Sequence, residues 1–157
     1  MIDNISFPRA ETCMIMEPYM SNIMGNVHGG ELMKIMDSIA GIAAMKQAKD
    51  AVVTARVDEL IFHKPIHVGN VVTCIGQVAY VGRSSIQVMV KVLVHDINDY
   101  EKTEIALSAF FTMVRLVDGK PAKVPPLTAK TKEEEELYRL GEEKYLDIKK
   151  RLRKKKE

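Results

Sequence analysis

From residue 52 onward the chain is dominated by apolar side chains at every second position. Between residues 84 and 95, Ile86, Val88, Val90, Val92 and Val94 alternate with other residues, and between 104 and 117 the same period runs through Ile105, Leu107, Ala109, Phe111 and Met113. Alternation of this kind places one side of an extended chain in a core, so both segments are predicted as strands. Residues 71–81, rich in Val and Ile, and VVTARVDEL at 52–60 read the same way, as does the short TCMIM at 12–16 before Pro18. GRS near residue 83 and HDINDYEK at 95–102 supply hairpin loops, and HKPIHVGN carries turn signals in Pro65 and Gly69-Asn70. Only residues 30–47 change period. There Leu32, Ile35, Met36, Ile39 and Ala43 fall on one helical face, and from Met36 to Met45 the sole charge is Asp37. A helix apolar almost all round is a buried helix. The predicted order is strand, helix, then four strands in a meander: an α+β domain in which a curved antiparallel sheet encloses one central helix.

After Pro125-Pro126 the composition changes. The segment TKEEEELYRLGEEKYLDIKKRLRKKKE sets Leu137, Gly141, Tyr145, Ile148 and Leu152 along a stripe, with acids in the first turns and bases in the last, the polarity that complements a helix dipole. This divides the chain into a domain over 1–125 and a charged amphipathic helix over 126–157, the helix laying its stripe on the domain or on a neighbouring subunit. A nucleic-acid or membrane-surface role for KKRLRKKK is the weaker reading, because no aromatic platform or second basic patch accompanies it.

Composition narrows the function little. With 157 residues, 46% of them hydrophobic and 28% charged, the chain suits one soluble domain, and a net charge of +2 gives no reason to expect nucleic acid. No uncharged apolar run is long enough to span a membrane and the N-terminus does not read as a signal, so a cytoplasmic protein is expected. Cys13 and Cys74 stand far apart without a CxxC partner; both are expected to be buried thiols rather than a disulfide or zinc site.

The chemistry concentrates in GNVHGGELMKIMD, residues 25–37. A carboxylate two turns into an apolar helix is costly unless it is paired or reaches solvent. Asp37 therefore either pairs with Lys34 or a neighbouring backbone group, or is a catalytic base or nucleophile. Gly29-Gly30 favour the second role, because they bring unpaired amides at a helix start close to a ligand, where such amides hold an oxyanion.

GNVHGGELMKIMD, followed by VVTARVDELIFHKPIHVGNVV and VGRSSIQVMVKV, resembles the hotdog-fold acyl-CoA thioesterases, both the bacterial YciA-like enzymes and the vertebrate cytosolic acyl-CoA hydrolases. The resemblance covers roughly residues 10–118. It implies the sheet-wrapped helix already inferred, and hydrolysis of acyl-CoA to free CoA and a carboxylic acid in the cytoplasm, as part of fatty acid metabolism. It also implies a homodimer as the minimal active unit, within a hexameric trimer of dimers. By the same resemblance Asn26 and Asp37 are the catalytic pair, with the Gly30 amide as oxyanion donor. Gly82, Arg83, Ser84 and Ser85 match the segment that binds the nucleotide end of coenzyme A, with Gly29, His28 and Lys64 as further contacts. His28 stands where other members carry Phe or another residue, and it is assigned no catalytic role.

A thioester is already electrophilic and its thiolate leaves readily, so an oxyanion donor and a base or nucleophile suffice, and neither cofactor nor metal is expected. His63 and His67 have Pro65 between them, which disfavours a helical zinc pair; there is no GxSxG elbow, and GNVHGG lacks the Lys-Ser/Thr of a phosphate loop. The alternative to an enzyme is a non-catalytic acyl-CoA sensor or scaffold that contacts a partner through the C-terminal helix.

Overall fold

The computed structural model describes residues 4–156. Its elements are β1 (Arg9–Ile15), a 3-10 turn at Pro18–Met20, α1 (Gly29–Ala48), β2 (Val52–Phe62), β3 (Val71–Val81), β4 (Ser85–Asp96), β5 (Asp99–Val117), the short β6 (Lys120–Pro121) and α2 (Lys132–Lys154). All pairings are antiparallel and the main sheet runs β1-β3-β4-β5-β2, with β6 on β5. This corrects the expected four-strand meander. β3, β4 and β5 do follow one another, but β2 crosses to the far edge and pairs with β5. The helix lies chiefly over β3 and β4, so β2 returns along its flank and pairs with β5 at the edge, while residues 63–70 carry the chain over to β3.

The sheet curves around one face of α1. Leu32, Met36, Ile39, Ala40, Ala43, Ala44 and Ala48 are buried there against Cys74, Val90, Val92, Leu107, Ala109 and Phe111. Each fully buried Leu, Met or Phe contributes about 1.5–3 kcal/mol, and the run of alanines allows the helix to lie close to the strands. At Gly76 the approach is closest, since an added Cβ would sit 3.1 Å from the Ile39 carbonyl oxygen. The opposite face is another matter. Met33, Asp37, Ile42 and Met45 are exposed, so the expectation of a helix enclosed nearly all round is corrected: a single sheet has one concave side and covers half a helix. Cys13 is also corrected. It points outward from the edge strand β1, whereas Cys74 is buried and its thiol is pushed up to about 12 by desolvation.

α2 packs its stripe on the outer face of the sheet, mainly across β3. Gly141 lets it do so: a Cβ there would lie 2.6 Å from the Cβ of Tyr80, and the rings of Tyr138 and Tyr145 meet that of Tyr80 edge-on and tilted, at centroid distances of 4.9 and 5.1 Å. The helix start is clamped to the N-terminal segment by Glu134, which is fully buried. Its carboxylate accepts from the Ser6 backbone N–H at 2.5 Å, from the Lys130 N–H at 2.7 Å and from the Ser6 hydroxyl at 2.8 Å. Those donors, the Ser6 amide foremost, hold its pKa down to about 2 from an ordinary 4.5. Because the folded value is the lower one, the stabilisation is complete above about pH 4.5, declines as pH falls and is gone below about 2. The Tm advantage of the native chain over Glu134→Gln should therefore shrink steadily from pH 6 to pH 2; an advantage independent of pH would show that the carboxylate is not the clamp.

Candidate active site

α1 begins at a turn that the sequence builds deliberately. Asn22 accepts through Oδ1 from the backbone N–H groups of Met24 (2.9 Å) and Asn26 (3.2 Å), and Gly25 takes φ +80, closing a tight loop before the helix. His28 is the N-cap: its Nδ1 accepts from the Gly30 N–H at 3.0 Å. The amide expected to hold an oxyanion is thus occupied by an imidazole. The Gly29 N–H has no acceptor among the described residues.

Gly29 lies against the Phe62 ring, near the end of β2. Here a cleft of about 430 Å³ is lined by Asn22, Asn26, Gly29, Leu32, Phe62 and His63, with Lys64 at its edge. Lys64 also forms an ion pair with Glu104. The carboxylate lies elsewhere. Asp37 is exposed, and its Oδ1 accepts from the Thr54 hydroxyl at 2.5 Å, while Thr54 stands at the beginning of β2. Neither Lys34 nor a strand backbone group pairs with Asp37 among the described residues. α1 and β2 run in opposite directions, so the two features fall at opposite ends of the pair. Gly30 and Asp37 are seven residues apart, about 10 Å along the helix axis.

The β3–β4 hairpin belongs to the Asp37 end. Thr54 pairs with Met113, Met113 with Ile86 and Ile86 with Val81, so Gly82, Arg83 and Ser84 project just beyond that row of the sheet. Backbone bonds fix the turn: Gly82 N–H donates to the Ser85 carbonyl at 2.9 Å, Arg115 N–H to Ser84 at 2.9 Å and Val124 N–H to Arg83 at 2.8 Å. Gly82 packs beneath Tyr145, where a Cβ would lie 2.9 Å from the ring. The Arg83 side chain is exposed and without a protein partner among the described residues.

Of the residues singled out in the sequence, one chain therefore brings Asn26, Gly29 and Lys64 to one cleft, beside the capped pair His28–Gly30, and gathers Asp37, Gly82, Arg83, Ser84 and Ser85 toward the other end of the sheet. Two residues went unnoticed. Thr54 gave no signal, since a threonine in a strand is ordinary; Asn22 could have been found as an Asn three residues before a glycine in a turn that feeds a helix.

A five-strand antiparallel sheet curved on one helix, with a second helix on its outer face, defines a hotdog domain. Residues 24–99 match the thioesterase superfamily. The chain belongs to that superfamily, among its hotdog-fold acyl-CoA thioesterases. It is 36% identical over 94% of its length to the cytosolic acyl coenzyme A thioester hydrolase of Rattus norvegicus, and spans 39% of that relative. Its fold is similar to that of an acyl-CoA hydrolase from Staphylococcus aureus solved with butyryl coenzyme A, coenzyme A and coenzyme A disulfide: TM-score 0.87, 32% identity, 96% of this chain and 92% of that one. It is also similar to the hexameric thioesterase y2039 from Yersinia pestis, with a TM-score of 0.69 and 34% identity over 77% of this chain and 98% of the other. The S. aureus hydrolase has further been solved with alanine in place of an asparagine, of an aspartate 15 residues later, and of a threonine 17 residues beyond that.

Proposed function

We propose that this protein hydrolyses acyl-CoA to free CoA and a carboxylic acid at a site shared between two subunits. The observation that carries the reading is the Asp37–Thr54 pair. Asn22, Asp37 and Thr54 stand at the same 15- and 17-residue intervals as the three positions replaced in the S. aureus hydrolase. On that spacing Asn22 takes the place beside Asp37 that the sequence resemblance gave to Asn26, orienting the carbonyl or water, and Asn26 lines the same cleft.

In the reaction the acyl carbonyl lies at the start of α1, where the Gly29 amide is open and Gly30 can exchange His28 Nδ1 for the substrate oxygen. The Thr54 hydroxyl holds Asp37 Oδ1 and leaves Oδ2 to take a proton from water, or to attack the carbonyl carbon directly. Collapse of the tetrahedral intermediate breaks the C–S bond, and the leaving thiolate takes up the proton drawn from water and departs as CoA; where Asp37 attacks directly, water then hydrolyses the acyl–Asp37 anhydride, releasing the carboxylic acid and restoring the carboxylate. An oxyanion donor and a base must both reach within about 3 Å of reacting atoms, which the 10 Å between Gly30 and Asp37 on one helix does not allow. Two copies related by a twofold axis resolve this. The exposed apolar residues Met33, Ile42 and Met45 on α1 and Val53, Val57 and Ile61 on the edge strand β2 are the surface such a partner would cover, bringing each Asp37 to the other chain's helix start. A trimer of such dimers would parallel the hexameric relatives.

Release of thiol from a panel of acyl-CoAs, followed with a thiol reagent, tests the activity; no release from any chain length would refute it. On the same footing Arg83 contacts a CoA phosphate. Arg83→Ala should raise KM for acyl-CoA several-fold and leave hydrolysis of the N-acetylcysteamine thioester of the same acid unchanged, because a remote phosphate contact is missing from the smaller substrate. Equal losses on both substrates would mean that Arg83 only shapes the hairpin.

A further inference from the structure

We infer that the basic end of α2 completes the phosphate-binding surface begun by Arg83, so that Lys149 and Arg153 are determinants of affinity for the 3′-phosphorylated nucleotide of the substrate. The inference rests on the acyl-CoA reading above. Its basis is a single row of residues four apart on α2. Gly141 seats on Ala79 and Tyr80 of β3, and one turn later Tyr145 covers Gly82, the residue before Arg83. One turn later again the Lys149 Nζ stands 4.7 Å from the centroid of the Tyr145 ring, and Arg153 follows. The row thus tracks β3 to its end, and Lys149 and Arg153 follow one and two turns after the residue that covers Gly82, the chain neighbour of Arg83, whose guanidinium has no protein partner among the described residues.

Charge supports the assignment. The 3′-phosphate and diphosphate of coenzyme A together carry about four negative charges near neutral pH, far more than one guanidinium balances. Residues 149–156 hold seven cations. Arg151 is taken by Asp147, but Lys149, Lys150, Arg153 and Lys154 have no carboxylate partner among the described residues, and with Leu146 they line a groove of about 360 Å³. Neither alternative anionic partner fits as well. Leu146 and Leu152 are exposed but lie about 120° apart around the helix with cations between them, so they form no continuous apolar stripe to enter a membrane, and among the described residues no exposed aromatic row lies beside them on which nucleic-acid bases would stack.

The experiment compares the native protein with two double variants of equal charge change, Lys149→Ala with Arg153→Ala, and Lys155→Ala with Lys156→Ala one turn further out. Three substrates of the same acid are used: acyl-CoA, its 3′-dephospho form and its N-acetylcysteamine thioester. The first variant should raise KM for acyl-CoA about tenfold at unchanged kcat, raise it less than about threefold for the 3′-dephospho substrate, and leave the N-acetylcysteamine thioester unaffected. The second should stay within about twofold of native on all three. Equal KM increases in both variants, or a loss on the N-acetylcysteamine thioester, would overturn the inference. So would binding to phosphatidylserine vesicles that depends on Lys149 and Arg153 while KM stays fixed. Titration with adenosine 3′,5′-bisphosphate separates this inference from the acyl-CoA reading itself: should the native protein hydrolyse no acyl-CoA, binding weakened at least tenfold in the first variant still supports the ridge, and equal binding refutes it.

Discussion

Replacement of Asp37 by asparagine is expected to lower kcat for acyl-CoA by about a hundredfold or more and to leave KM within a few-fold. The amide is isosteric and still accepts the Thr54 hydroxyl through its oxygen, so the side chain keeps its place on α1; what it loses is the ability to take a proton or to attack. Because Asp37 is exposed in the single chain, folding should be little affected, and an unchanged Tm would separate lost chemistry from lost structure. Thr54→Ala, which frees the carboxylate without removing it, should cost less, on the order of tenfold in kcat. A variant Asp37→Asn retaining more than about a third of the native kcat would remove Asp37 from the mechanism.

Mixing two inactive variants should restore activity. When Asn22→Ala and Asp37→Ala are unfolded together and refolded, half of the dimers formed at random are mixed. In a shared-site arrangement each of these carries one doubly damaged site and one intact site, so the mixture should regain about a quarter of native activity. The expectation follows from the separation of the two halves within one chain: Asn22, Asn26 and Gly29 lie by the end of β2, while Asp37 and Thr54 lie by its beginning. If each chain supplied its own complete site, no mixed dimer would contain one. A mixture that stays inactive, with mixed dimers verified by mass, would therefore end the shared-site arrangement.

How much of this was legible beforehand depended on the range of the interaction involved. Period two in Ile86–Val94 and Leu107–Met113, and the helical spacing of Leu32, Met36, Ile39 and Ala43, are local consequences of backbone geometry; but β4 runs to Asp96 and β5 starts at Asp99, through most of the expected 95–102 loop, and a register shift beside Leu107 leaves Ile105 exposed and buries Ala106. The α2 stripe was equally local, and Leu137, Gly141 and Ile148 are buried as read; Leu152, past the edge of the sheet, is not. Asp37 stood out because a charge on an apolar helix is anomalous within one turn of chain. Other features had no local trace. The crossing of β2 to the far edge is decided by packing between α1 and the sheet, and Cys13 is exposed because it falls on the face of β1 that α2, lying over β3 and β4, leaves uncovered. The Thr54–Asp37 hydrogen bond joins residues on two elements whose proximity the sequence does not encode locally. The cap of His28 on Gly30 hinges on a rotamer.

The sequence by itself determined the main strands and helices and the α+β class, which follow from spacing along the chain, and the family, through its motifs; it singled out Asp37 but neither Asn22 nor Thr54. Only the tertiary structure decided that Asn26 and Gly29 lie by the end of β2 while Asp37 and the Arg83 hairpin lie toward its beginning, that half of α1 is left open, and that Tyr145 of α2 covers Gly82. The physical reason is that a helix presents a new face every 100° while one sheet can cover a single side of it, so which groups meet is fixed by packing between elements and not by order within them.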